Sequence, residues 1–221
     1  PCGTLFPYTT LFRSVFGQAA VCDGRACGTV AANLSRTFRG DYTVAAWIRT
    51  TSGEADILGT GVGKGRMLFM TYRGVLRAHH WTDGNANVVD GETEVADGQW
   101  HHVAQVVEGD EVAVYVDGRR DASAPIRGRR VEETVPVFLA AREPGDNATF
   151  SGNLDELCVY DRALSDAELT AAYETGKTRA QRTDPEAEAA YLAVRRIKRR
   201  ILFAHPVVDF DSVLLVDNPY P

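Results

Sequence analysis

Short apolar runs, each cut off by a turn residue, set the pattern of this chain from residue 15 to about residue 160. TVAAWIRT, MLFMTYR, VLRAHHW, WHHVAQVV, EVAVYVDG, PVFLAA and LDELCVY are rich in β-branched and aromatic residues and too short for packed helices. In EVAVYVDG the period is two: Val112, Val114 and Val116 fall on one face, Ala113 and Tyr115 on the other. Turn signals at Gly74, Asp83-Gly84, Asp97-Gly98, Gly109-Asp110 and Asp117-Gly118 separate the runs at intervals of about ten to fifteen residues. This spacing predicts an all-β, antiparallel two-sheet sandwich rather than alternating βαβ units.

The pattern changes after residue 160. Ser165 followed three residues later by Glu168 is a capping box, and Gly176 is expected to close the resulting helix at its C′ position. Residues 177–200 predict a helical linker, with Asp184 as N-cap, Pro185 at N1, acids early and bases late. Residues 201–221 start a new apolar strand pattern, as at the opening of another β domain. At the other end, LFPYTTLFRS (residues 5–14) matches no helical or strand period, and Pro7, Thr9 and Thr10 interrupt any signal-peptide core. The oligonucleotide CTC TTT CCC TAC ACG ACG CTC TTC CGA TCT, a common sequencing adapter, translates to this decapeptide. Residues 1–14 are therefore read as an adapter artefact, and 15–176 as the globular domain.

Composition narrows the function. Hydrophobic residues at 44% and charged residues at 24% suit a soluble globular chain. A net charge of −6 argues against a general nucleic-acid surface, which needs excess Lys and Arg, so the run Arg195 to Arg200 reads as a solvated helix end. No apolar run approaches the roughly twenty residues of a membrane span. CDGRAC sets Cys22 and Cys27 across a turn within possible disulfide reach, although two reduced thiols fit equally well.

YTVAAWIRT, ILGTG, DGQWHHVAQVVEGDEVAVYVDGRRD and FSGNLDELCVYDRALSDAEL, in that order, resemble a laminin-G-like domain of the concanavalin A-like lectin/glucanase class over about residues 17–176. The resemblance implies a jelly roll that binds at loop rims or on its concave face. It implies a non-catalytic binding or adhesion module for a glycan or an extracellular protein, with a structural spacer as the alternative. RRILFAHPVVDFDSVLLVDNPYP resembles the start of the propeller-type domain of the hydrazine-synthase-alpha-like family, which follows laminin-G-like modules in large exported bacterial proteins. That implies further domains of the same chain and a secreted, periplasmic or cell-surface location.

Candidate chemistry follows. Glucanases of the same fold class carry Glu-x-Asp-x-x-Glu on one strand; GEADILG supplies Glu54 and Asp56 but has Gly59 in place of the second Glu, so no enzyme is expected. His79-His80 and His101-His102 fall on two strands that could be neighbours, but adjacent strand residues point to opposite faces, so packing is favoured over metal binding. QWHHVA reads as a fold signature in which Trp100 seals a sheet end and a histidine bonds to backbone. The candidate ligand site is Trp81 as a stacking platform with His80, Asp83, Asn85 and Asn87 beside it. Calcium is the candidate cofactor. DGNAN followed by Glu94 has the oxygen spacing of a calcium loop without its turn glycine, and Asp155 with Asp146 and Asn147 forms a second rim cluster. The bland alternatives are a polar hairpin tip and an Asp155 that accepts backbone N–H bonds.

Overall fold

The computed structural model describes residues 3–4, 11–12, 19–24, 28–30, 38–60, 67–130, 136–142 and 148–181. Its strands are β1 (Gly3–Thr4), β2 (Leu11–Phe12), β3 (Ala19–Asp23), β4 (Gly28–Val30), β5 (Tyr42–Arg49), β6 (Glu54–Gly59) and β7 (Met67–Tyr72). They continue with β8 (Val75–Thr82), β9 (Asn85–Glu94), β10 (His101–Glu108), β11 (Glu111–Val116), β12 (Arg119–Pro125), β13 (Val137–Leu139) and β14 (Ser151–Tyr160), and helix α1 (Asp166–Gln181) closes the described chain. The larger sheet runs β12-β11-β10-β5-β14-β3-β2, with β1 also paired to β14. The smaller runs β4-β13-β6-β7-β8-β9. The strand pairings are antiparallel, so the expected two-sheet sandwich and the jelly-roll class are what the chain forms.

The period-two reading of β11 holds on both faces. Val112, Val114 and Val116 join the inter-sheet core with Tyr42, Val44, Ala46, Ile48, Phe69 and Leu76. Ala113 and Tyr115 join a second cluster on the outside of the larger sheet, covered by Leu164 and Leu169. A strand buried on both faces has no polar face to alternate, which explains the near-continuous apolar run of β5, buried from Tyr42 to Ile48.

The Asp117-Gly118 turn shows why the QWHHVA and YVDG segments belong together. Both turn residues have left-handed backbone, at φ 50° and 75°, as a tight hairpin requires. The Asp117 carboxylate accepts the His102 backbone N–H at 2.9 Å and meets His101 Nδ1 at 3.0 Å. A Cβ on Gly118 would lie 2.9 Å from Thr170 Cα, so glycine also lets α1 approach. The histidine contact differs from expectation: the His101 ring bonds to the carboxylates of Asp117 and Asp97, while the His102 ring packs 5.4 Å from Trp47. Trp100 is half-buried.

Two expectations need correction. His79-His80 lie on β8 of the smaller sheet and His101-His102 on β10 of the larger, so the two pairs are not on neighbouring strands. Gly176 does not end α1, which continues to Gln181. The capping box is present, with Ser165 N–H donating to Glu168 Oε2 at 2.9 Å and Glu168 N–H to Ser165 Oγ at 3.3 Å. Gly176 is instead buried against Trp47: a Cβ there would stand 2.4 Å from Trp47 Cζ2. The glycine is a contact requirement, not a stop signal.

Within 1–14, β1 pairs with Cys158 and Val159, and β2 pairs with Ala19 and Ala20. Cys27, the 182–200 part of the linker and residues 201–221 lie outside the described residues.

Candidate functional site

The outward face of the smaller sheet carries the chemistry. Alternation along β8 sends Leu76, Ala78 and His80 inward and Arg77, His79 and Trp81 outward. His79 and Trp81 stack with ring centroids 4.9 Å apart and an interplanar angle of 27°. Register places His79 between Val88 on β9 and Leu68 on β7. One step along, Asp90, Arg77, Met70 and Asp56 form a row across four strands. Arg77 donates to Asp90 through both Nε and Nη2, and its guanidinium lies 3.5 Å over the Tyr72 ring. Arg142 Nη2 reaches Asp56 Oδ1 at 3.3 Å.

The electrostatics follow from these contacts. The Arg77 hydrogen bonds hold the Asp90 carboxyl below its usual range. Burial, helped by Arg77 and Arg142, lowers the His79 imidazole to about 4, so it is neutral at physiological pH. Both His79 ring nitrogens are buried, without a hydrogen-bond partner among the described residues. Tyr72 is already covered by arginine, which leaves Trp81, half-buried at the sheet rim, as the aromatic surface a ligand can use.

The expected ligand residues are only partly brought together. Trp81 faces outward, and Asp83 and Asn85 are exposed at the β8–β9 hairpin tip beside it. His80 faces the opposite way, 1% exposed, with Nδ1 at 3.1 Å from the Tyr42 hydroxyl. That hydroxyl also receives Gln105 Nε2 at 2.9 Å, forming a polar link between the sheets. Asn87 is buried too, donating to the carbonyls of His80 and Arg127 and accepting the Arg127 N–H at 2.8 Å. His80 and Asn87 are therefore architectural and do not share a surface with Trp81. Sequence reasoning weighed His79 only as packing against metal binding and passed over Arg77 and Asp90; the β8 alternation was the signal that could have placed His79 and Arg77 beside Trp81.

The described oxygen ligands do not assemble a calcium loop. Asp83 and Glu94 stand at opposite ends of β9, roughly 30 Å apart at ordinary strand rise. Asp155 is buried, and its Oδ1 accepts the N–H of the next residue, Glu156, at 3.0 Å. Asp146 and Asn147 lie outside the described residues. Among the described residues no group of three or more His, Cys, Asp or Glu could hold a metal ion. Of the glucanase-like pair, Glu54 is exposed while Asp56 is wholly buried against Arg142.

A concavity of about 480 Å³ lies between the Asp117-Gly118 turn and α1, with Arg120, Asp121, Tyr173 and Lys177 among its lining. Its groups are largely committed: Arg120 to Glu111, Asp121 to the β9 backbone, and Tyr173 to a stack on Trp47. The outward face at Trp81 is the better candidate.

A two-sheet antiparallel jelly roll defines the concanavalin A-like class of domain. The family model Laminin_G_3, concanavalin A-like lectin/glucanases superfamily, matches residues 24–170, and the chain belongs to that superfamily. Among solved structures, the chain is similar to the binding domain of Paraclostridial Mosquitocidal Protein 1 at 14% identity and TM-score 0.63, covering 75% of this chain and 45% of that one. The Ruminococcus gnavus IT-sialidase CBM40 bound to α2,3-sialyllactose matches at 16% identity and TM-score 0.60, covering 70% and 96%. A heptameric SAP-like pentraxin from Limulus polyphemus matches at 20% identity and TM-score 0.51, covering 60% and 69%. The chain thus spans less than half of the mosquitocidal protein's binding domain.

Proposed function

We propose that the chain is a non-catalytic binding module that takes a glycan on the outward face of its smaller sheet, with Trp81 as the stacking platform. The observation that carries this reading is the His79–Trp81 stack at the sheet rim, beside a polar hairpin tip. A flat apolar ring edged by hydroxyl-pairing groups matches the face and rim of a sugar. The sialyllactose-bound CBM40 and the toxin binding domain support the reading by their likeness in fold. No catalytic role is assigned to Glu54 or Asp56: one faces solvent, the other is held by Arg142, and retaining hydrolysis needs two carboxyl groups facing one substrate. The setting we infer is an exported, multidomain protein, a reading supported by the resemblance of the C-terminal residues to the propeller-type domain of the hydrazine-synthase-alpha-like family.

Retention on a panel of immobilised polysaccharides tests the proposal. Trp81→Ala should weaken binding by roughly 1 to 2 kcal/mol, about tenfold, with the melting temperature unchanged. If no glycan is retained but an extracellular matrix protein is, the module is a protein binder. If nothing is retained, the domain is a spacer.

A further inference from the structure

The outer side of the larger sheet buries a titratable ring that glycan binding at Trp81 does not use. Alternation along β5 and β10 turns Ala45, Trp47, His102 and Ala104 to this side, away from the inter-sheet core. Register sets His102 directly across from Trp47, with ring centroids 5.4 Å apart. Helix α1 lies on the same side: Tyr173 stacks on Trp47 at 5.8 Å, and Gly176 abuts the indole. Trp47 and His102 are left only 5% and 4% exposed. His102 Nδ1 is buried without a hydrogen-bond partner among the described residues. In a neutral imidazole that nitrogen can stand as a bare acceptor, but in the imidazolium it must donate a proton to something. Burial accordingly lowers the His102 pKa to about 4, and Asp117 offsets this only in part.

The charged groups nearby are engaged elsewhere. The Asp117 carboxylate already accepts the His102 backbone N–H at 2.9 Å and meets His101 Nδ1 at 3.0 Å. Asp155, on β14, stands on the far side of Trp47, and its Oδ1 accepts the Glu156 N–H. On α1, Glu174 is exposed and the Lys177 ammonium lies 5.3 Å over the Tyr173 ring, adding positive charge to this side. Protonation therefore favours any state in which the His102 ring meets water. Lifting α1 supplies such a state at limited cost, because Leu169 packs in a small outer cluster separate from the inter-sheet core.

We propose that the seating of α1 on Trp47 is a proton-sensitive latch with His102 as its sensor: acid releases the helix and uncovers the apolar outer side of the larger sheet. The lifted state binds the extra proton more readily than the seated one. The latch thus loosens as pH falls from about 6.5, the ordinary histidine value, to about 4, and changes no further below that. Over this window lifting should become roughly a hundredfold more frequent. His101, whose pKa is raised by Asp117, titrates in the opposite sense, so a variant of His102 alone isolates the latch.

Hydrogen exchange of the full chain between about pH 7 and pH 4, corrected for intrinsic exchange rates, tests this. Protection of the α1 amides should fall roughly a hundredfold over that range while β5 and β10 stay protected. His102→Phe keeps a ring against Trp47 but takes up no proton, so its α1 protection should not vary with pH. The inference is overturned if α1 protection in the parent is independent of pH, if the fall persists in His102→Phe, or if the strands open together with α1. Should His102→Phe not fold, an NMR titration of the parent's His102 ring decides instead. Its midpoint should lie well below about 6.5 and coincide with shifts in the α1 amides. A midpoint at the ordinary value, or a titration that α1 does not follow, would overturn the inference equally.

Discussion

Replacing Gly176 with alanine sets two opposing effects against each other at one position. Gly176 lies inside α1, away from its last turn, and its φ is not left-handed. For an open helical position, Gly→Ala gains about 1 kcal/mol of helix propensity. Here the added Cβ would sit 2.4 Å from Trp47 Cζ2 and 2.7 Å from Cε2 and Nε1. Trp47 cannot give way cheaply: it is 5% exposed, stacked on Tyr173 at 5.8 Å and packed on His102 at 5.4 Å. Overpacking a closed site costs typically 1–3 kcal/mol and here exceeds the propensity gain. The net expectation is a destabilisation of up to about 2 kcal/mol, or a fall of up to roughly 8 °C in melting temperature for a domain of this size. Urea denaturation of Gly176→Ala, Trp47→Leu and the double variant checks it. In the Trp47→Leu background the same alanine should become neutral or stabilising. A penalty that persists without the indole would refute the contact account, and a stabilised single variant would show that α1 is not seated on Trp47.

Other perturbations probe separate parts of the fold. Asp121→Ala removes three hydrogen bonds from β12 to β9, at 2.8, 3.2 and 2.6 Å, and should cost about 1–2 kcal/mol because it unpins the sandwich edge; a loss below about 0.5 kcal/mol would show the edge is held by packing. His101 has its pKa raised, first by its hydrogen bond to Asp117 and further by Asp97. Its stabilising contribution is therefore full below the unfolded value of about 6.5 and lost as pH rises through the folded pKa, so His101→Gln should flatten stability across that window. A stability profile unchanged by His101→Gln would contradict the ion-pair geometry. Deleting residues 1–14 should leave melting unchanged or improved if the segment is adventitious, whereas a loss above about 2 kcal/mol would mean that the β1 and β2 pairings belong to the fold. If the Asp155 rim binds calcium, millimolar calcium should raise the melting temperature and Asp155→Asn should abolish the rise, whereas no shift would remove the rim site.

The fold was legible because its signals are local. Period-two runs and Asp-Gly turns decide strands within a few residues, and the Ser165–Glu168 box decides a helix start on its own. Features that depend on distant partners were not legible. Gly176 looks like a helix terminator until Trp47, from the other side of the sequence, is found against it. Asn87 looks like an exposed ligand until Arg127, forty residues away, is found on its amide. His80 rather than His79 was favoured for the site because the core's polar link through Tyr42 and Gln105 has no sequence signature. The 127–130 segment carries no local signal because only the fold brings it to the β8–β9 hairpin, through Asn87, Thr82 and Asp83.

Mapping backbone and indole NMR shifts during titration with a glycan retained on the panel tests the location of the site most directly. Perturbations should centre on the Trp81 Nε1 proton and His79 and spread to the Asp83–Asn85 tip, leaving α1 unmoved. Shifts centred on Tyr173, Glu174 and Lys177, in the concavity beneath the Asp117-Gly118 turn, would contradict it and move the site to the opposite sheet.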